Sequence, residues 1–121
     1  MLSKEDRQHI LREFLSNIHG VTDIEYQKRV WIRGEGPECD DFDETVCQFY
    51  DRYEEIVPES KEFELTKTQY QELVKFHDVF EAFVDGPRGC DPPEEFIHTP
   101  EWKVVMEAAK RLLKVFDYKD E

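Results

Sequence analysis

The 121-residue sequence is poor in cysteine and has no long apolar run. Cys39, Cys47 and Cys90 are its three cysteines, whereas a secreted disulfide scaffold usually has more of them and an even number. We interpret them as reduced thiols of a cytoplasmic protein. No run of about 18 apolar residues occurs, so no membrane span is predicted. The first residues also lack the basic and apolar regions of a signal peptide.

Positive charge is scarce as well. Sixteen Lys and Arg residues face 29 Asp and Glu residues, which gives a formal net charge of -13. This balance argues against binding to nucleic acid or to an anionic membrane, since both need a basic face. Apolar residues make up 39% and aromatic residues 13% of the chain, enough for a folded core. The length predicts a single domain over residues 1–121.

Apolar residues recur at helical spacing in four segments, and each segment has a recognisable start signal. Ser3 with Asp6 forms a weak capping box, and Thr66 with Gln69 forms a stronger one. The second helix begins after Asp40 or Asp41, and the last begins at Thr99 with Pro100 in the first turn. The four predicted helices span residues 4–19, 42–57, 67–84 and 100–116.

Residues 24–33 change period, because Ile24, Tyr26, Val30 and Ile32 alternate with mostly polar residues. This alternation predicts a half-buried strand, with a second short strand at residues 62–65. The predicted fold is therefore α+β, with four helices packed around a small antiparallel sheet. The alternative is an all-α bundle with one extended connector. Because the short strand cannot pair the whole length of residues 24–33, the free edge predicts a homodimer or an added partner strand.

Residues 85–100 hold four of the six prolines and two of the five glycines. A connection of this length is unusual inside a compact domain and is often functional. A short helical turn at residues 93–97 would shorten it.

The excess of acidic residues is concentrated in one quarter of the chain. Residues 35–64 contain twelve acidic residues against Arg52 and Lys61, a net charge of -10. The acidic residues at the start of the predicted helix suit its dipole, but Asp51 and Glu55 near its end do not. Arg52 is expected to lie on another part of the helix and to relieve their repulsion poorly. The segment is either a solvated acidic face or a surface that a cationic partner neutralises.

These observations predict a non-enzymatic binding protein of the inhibitor, immunity or adaptor type. It would present the acidic helix face to a basic protein, with charged residues that steer association and an aromatic residue that anchors the complex. Trp31 falls on the polar side of its predicted strand, so either a helix covers it or it is an accessible anchor. The candidate partner-binding residues are Asp41, Glu44, Tyr50, Asp51, Glu55 and Trp31.

The alternative function is a small metal-dependent enzyme or metal-binding module. It would use residues 39–43 and 90–98, which contain Cys39, Asp40, Asp41, Asp43, Cys90 and His98. Their spacing matches neither a calcium loop nor the usual zinc motifs. No catalytic residue, cofactor or metal site is therefore assigned. His77 is interpreted as a core histidine with a backbone partner, since it lies on the apolar face of its predicted helix.

Overall fold

The computed structural model describes residues 3–36 and 41–118. Its helical segments are Lys4–Thr22 (α1), Ile24–Tyr26 (α2), the π-helical segment Gln27–Ile32, Phe42–Ile56 (α3), the 3₁₀ turn Val57–Glu59, Lys67–Asp85 (α4), Pro93–Phe96 (α5) and Pro100–Val115 (α6). These residues contain no strand. The predicted α+β fold with four helices around an antiparallel sheet is therefore wrong, and the all-helical alternative is the one that fits.

Side-chain caps begin the four long helices, as the sequence predicted. Ser3 caps α1 and Thr66 caps α4, each in a complete capping box. The Asp41 carboxylate accepts a hydrogen bond of 2.8 Å from the backbone N–H of Glu44 at the start of α3. Thr99 caps α6, with a proline in the first turn. Asp40, the other candidate cap of α3, lies outside the described residues.

Residues 24–33 form a helical turn followed by a π-helical segment, not a strand. Asp23 provides the start signal, because its carboxylate accepts a hydrogen bond of 3.1 Å from the backbone N–H of Tyr26. The residues that turn inward are Gln27, Val30 and Trp31, which share one helical face. The alternation in the sequence had placed Gln27 and Trp31 on the outer side. The alternating pattern therefore did not reflect a strand. The buried residues are three and four positions apart, which is the spacing of one face of a helix.

The predicted strand edge for a homodimer is absent, because residues 24–33 satisfy their backbone groups within a helix. The second predicted strand is also wrong. Around Phe63 and Leu65 the chain makes turns that are closed by hydrogen bonds to the carbonyls of Glu59 and Ser60, and Glu64 has a left-handed φ of 58°. Phe63 is buried within these turns, and residues 62–65 form no extended ladder.

The four long helices surround an aromatic core. α6 packs against α4 and α1, and α3 packs along α1. Phe49 of α3 contacts Phe76 and Phe80 of α4, with ring centroids 5.3 and 5.1 Å apart. α5 adds Phe96 to the core, where it contacts Phe42 at 4.8 Å. The helical turn predicted near residues 93–97 is thus confirmed, and it contributes to packing.

Candidate protein-binding surface

α3 exposes a row of carboxylates on the side that it shares with α1. Asp41 lies at the N-terminal end, and Glu44 follows one turn later, where its carboxylate accepts a hydrogen bond of 2.9 Å from Gln48. Asp51 is exposed further along, and Glu55 is half-buried. The structure therefore brings four of the six predicted partner-binding residues into one row along α3. We call this row the acidic surface.

Arg52 is held beside this row by two carboxylates. Its guanidinium donates to Glu55 at 2.9 Å and to Glu13 of α1 at 3.3 Å. The expectation that Arg52 lies away from the acidic residues is therefore wrong, and it relieves the charge of Glu55. Arg52 compensates the charge of Asp51 less, because Asp51 makes no ion pair of its own among the described residues.

A groove runs between α1 and α3 next to Asp51. It has a volume of about 520 Å³ and is polar, and its lining residues are Glu13, Ser16, Asn17, Gln48, Asp51 and Arg52. Among the described residues of this lining, Arg52 is the single cation, and its charge is already paired with Glu13 and Glu55. The groove therefore offers hydrogen-bond acceptors and an unneutralised carboxylate to an incoming cationic side chain.

Trp31 does not belong to this surface. Its side chain is only 7% exposed and packs against Phe42 at 5.5 Å and Trp102 at 6.0 Å. The prediction that Trp31 is an accessible anchor is therefore wrong, and the alternative, that other residues of the fold cover it, is correct. The cover is the aromatic core of the bundle, since the segment that carries Trp31 is a helix with its inner face packed.

Tyr50 lies on the other side of α3, facing α4. It contacts His77 edge-on with ring centroids 5.9 Å apart. Tyr53 stacks on the same histidine at 4.3 Å with an interplanar angle of 18°. Burial raises the pKa of Tyr50, and the carboxylates of Glu81 and Asp85 raise it further. Tyr50 is thus half-buried between two acidic helices and separate from the acidic surface.

Sequence reasoning missed the cluster formed by His77, Asp78 and Glu81 on α4. The Nδ1 atom of His77 lies 3.1 Å from an Asp78 oxygen, and its Nε2 atom lies 3.8 Å from a Glu81 oxygen. The ring is half-buried and has carboxylate partners, so the interpretation of His77 as a core residue with a backbone partner is wrong. The available signal was the spacing of four residues between His77 and Glu81, which places both on one helical face.

The described residues of the two segments proposed for the alternative metal site do not form a cluster of potential metal ligands. Asp41 serves as the cap of α3, and Asp43, Cys90 and His98 are exposed. Within residues 3–36 and 41–118, the one group of three side chains with ligand atoms close together is the α4 cluster. Cys39 and Asp40 lie outside the described residues.

No protein-family model, curated protein or solved structure matches this chain. None of the helices in the described part of the chain has the length and apolar character needed to cross a membrane.

Proposed function

We propose that this chain is a non-enzymatic binding protein whose acidic surface on α3 binds a basic protein. The observation that supports this is the environment of Asp51. Its carboxylate is exposed at a polar groove, while the neighbouring Arg52 is engaged by Glu13 and Glu55. An uncompensated charge at a concave surface attracts a cationic side chain more strongly than one on a flat surface.

The surrounding charges favour the same class of partner. Asp43 and Glu54 lie beside the acidic surface and are also exposed on α3. Carboxylates at the rim of an interface accelerate association with a basic partner and make it sensitive to salt. An inhibitor, immunity protein or adaptor that acts on a cationic groove of another protein fits this description. Cys47 and Cys90 are exposed free thiols, which suits the reducing environment of the cytoplasm.

The ion pair between Arg52 and Glu55 makes Glu55 unsuitable as a test position. Glu55→Lys would break the pair with Arg52, so its effect on binding could not be separated from an effect on folding. Asp51→Lys with Glu54→Lys reverses two exposed charges that take part in no ion pair among the described residues. The charge-matched control is Glu101→Lys with Glu107→Lys on α6. Their ion pairs with Arg88 and Lys110 are exposed and contribute little to stability.

The experiment compares the wild-type chain and both double variants, each immobilised and exposed to cell extract at low ionic strength. A basic protein retained by the wild type and the control, but lost from the α3 variant, is then purified for kinetic measurement. We expect the α3 variant to associate about ten times more slowly or worse and to show a flatter salt dependence. Equal association rates and salt slopes for the two double variants would refute the proposal.

A further inference from the structure

The α4 cluster brings the side chains of three residues that can bind a metal ion close together. One ligand atom from each of His77, Asp78 and Glu81 lies within 4.8 Å of the other two. The two ring nitrogens of His77 face different carboxylates, at 3.1 Å for Asp78 and 3.8 Å for Glu81. Both carboxylates belong to the same helix as the ring, so the arrangement is built into the sequence of α4.

The partners of the ring determine where its proton lies. An ionised carboxylate only accepts hydrogen bonds, so the 3.1 Å contact with Asp78 requires a proton on Nδ1. The other ring nitrogen, Nε2, lies 3.8 Å from a Glu81 oxygen, which is too far for a hydrogen bond. The gap between Nε2 and the Glu81 carboxylate is open to an ion that both atoms can bind.

The dimensions of that gap match a transition metal ion. Zn²⁺ binds histidine nitrogen and carboxylate oxygen at about 2.0–2.2 Å, so two ligands of a tetrahedral ion lie roughly 3.4 Å apart. A small rotation of the Glu81 side chain closes the difference. A carboxylate on the second ring nitrogen is also the usual companion of a metal-bound histidine, because it fixes the tautomer and the ring orientation.

The ring is held in place before any ion binds. Tyr53 stacks on one face of His77 with ring centroids 4.3 Å apart. The ring centroids of Phe49 and Tyr50 lie 6.2 and 5.9 Å from that of His77. Fixing the ligand in advance lowers the entropic cost of binding. The electrostatic field around the ring is also negative. Burial raises the pKa of the neighbouring Tyr53, and the carboxylates of Asp78 and Glu81 raise it further.

We propose that His77 Nε2 and the Glu81 carboxylate bind a divalent transition metal ion such as Zn²⁺, with Asp78 orienting the imidazole and water completing the coordination. The ligands are on the surface of α4, so the ion exchanges readily and is not needed for folding. The proposal does not depend on the acidic surface of α3, and each can fail without the other.

The test adds Zn²⁺ in steps to the full-length ¹⁵N-labelled chain and follows the histidine ring nitrogens by NMR. The His77 signals are identified with His77→Gln. We expect Zn²⁺ to shift the Nε2 signal of His77 in a saturable way. A ring-specific readout separates this site from binding at the exposed thiols of Cys47 and Cys90.

Four variants identify the ligands. Glu81→Gln changes an exposed side chain and should weaken Zn²⁺ binding at His77 at least about tenfold, and Asp78→Asn should weaken it by about tenfold through loss of orientation. His77→Gln should abolish the site. The matched control is His9→Gln, because His9 and Glu13 are also four residues apart and in contact at 3.0 Å, but the pair is more exposed and Glu13 is shared with Arg52.

Two results would overturn the proposal. One is a set of His77 ring signals that do not move when Zn²⁺ is added. The other is a Zn²⁺ response that Glu81→Gln leaves unchanged. Circular dichroism of each variant confirms that the helices are intact, so a loss of binding is not a loss of fold.

Discussion

The indole N–H of Trp102 donates a hydrogen bond of 2.9 Å to the side-chain oxygen of Gln27, and both side chains are fully buried. The amide nitrogen of Gln27 in turn donates to the backbone carbonyls of Gly20 and Val21, each at 3.0 Å. One glutamine therefore satisfies two carbonyls at the end of α1 and connects them to the first turn of α6. Such a network is stabilising only while every member keeps its partner.

We expect Gln27→Leu to lower the free energy of unfolding by about 1–3 kcal/mol, because it leaves the buried Trp102 N–H without a partner and removes a donor from the carbonyls of Gly20 and Val21. Urea denaturation measures the change. Gln71→Leu, on the exposed side of α4, is the matched control and should change stability by less than about 0.5 kcal/mol. The energetic coupling between Gln27 and Trp102 is measured by adding Trp102→Phe to the wild type, to Gln27→Leu and to Gln71→Leu. If the two substitutions are additive, the hydrogen bond does not connect them.

Gly89 lies where no side chain fits. A Cβ atom on this residue would lie 1.9 Å from the backbone carbonyl oxygen of Val84 and 2.9 Å from that of Phe83. Neither oxygen can move away without disturbing the last turn of α4. We therefore expect Gly89→Ala to lower the free energy of unfolding by about 1–3 kcal/mol.

The matched control for Gly89 is Gly20→Ala. Its Cβ would meet only the ring of Tyr26 at 3.1 Å, and alanine favours the helical conformation of this position. Thermal unfolding of both variants should show a clear loss for Gly89→Ala and a much smaller change for Gly20→Ala. Similar melting temperatures would mean that the turn after α4 adapts to a side chain.

The tyrosines beside His77 predict a loss of stability at alkaline pH. Burial raises the pKa of Tyr50 and of Tyr53, and Glu81 contributes to both shifts. A folded-state pKa above the unfolded value gives a stabilisation that is complete below the unfolded pKa of about 10. It is lost as the pH rises through the folded pKa. The free energy of unfolding should therefore fall as the pH rises above the unfolded pKa of about 10.

Replacing both tyrosines with phenylalanine should reduce this alkaline loss. Glu81→Gln should lower the pKa of both phenols, which absorbance of tyrosinate measures directly, while Glu101→Gln on α6 serves as the control for the same change of charge. Unchanged phenol titration in Glu81→Gln would contradict the assignment of Glu81 as a cause.

Helix starts and charge distribution could be predicted from the sequence, whereas the segment around Gln27 could not. Thr66 and Gln69 complete their hydrogen bonds within four residues, so the signal for α4 is contained in a short stretch of sequence. Residues 24–33 have an alternating pattern that suits a strand equally well. The choice of a helix depends on Asp23 as a cap and on the burial of Gln27 and Trp31.

The sequence by itself determined where the long helices begin and that the negative charge is concentrated on α3 and its flanks, because capping and composition are local properties. Only the tertiary structure decided which side chains face inward. The partner of Gln27 is Trp102, 75 residues away, and Arg52 is held partly by Glu13, 39 residues away. Contacts between residues so distant in the chain depend on how the helices pack, and no short pattern in the sequence encodes that packing.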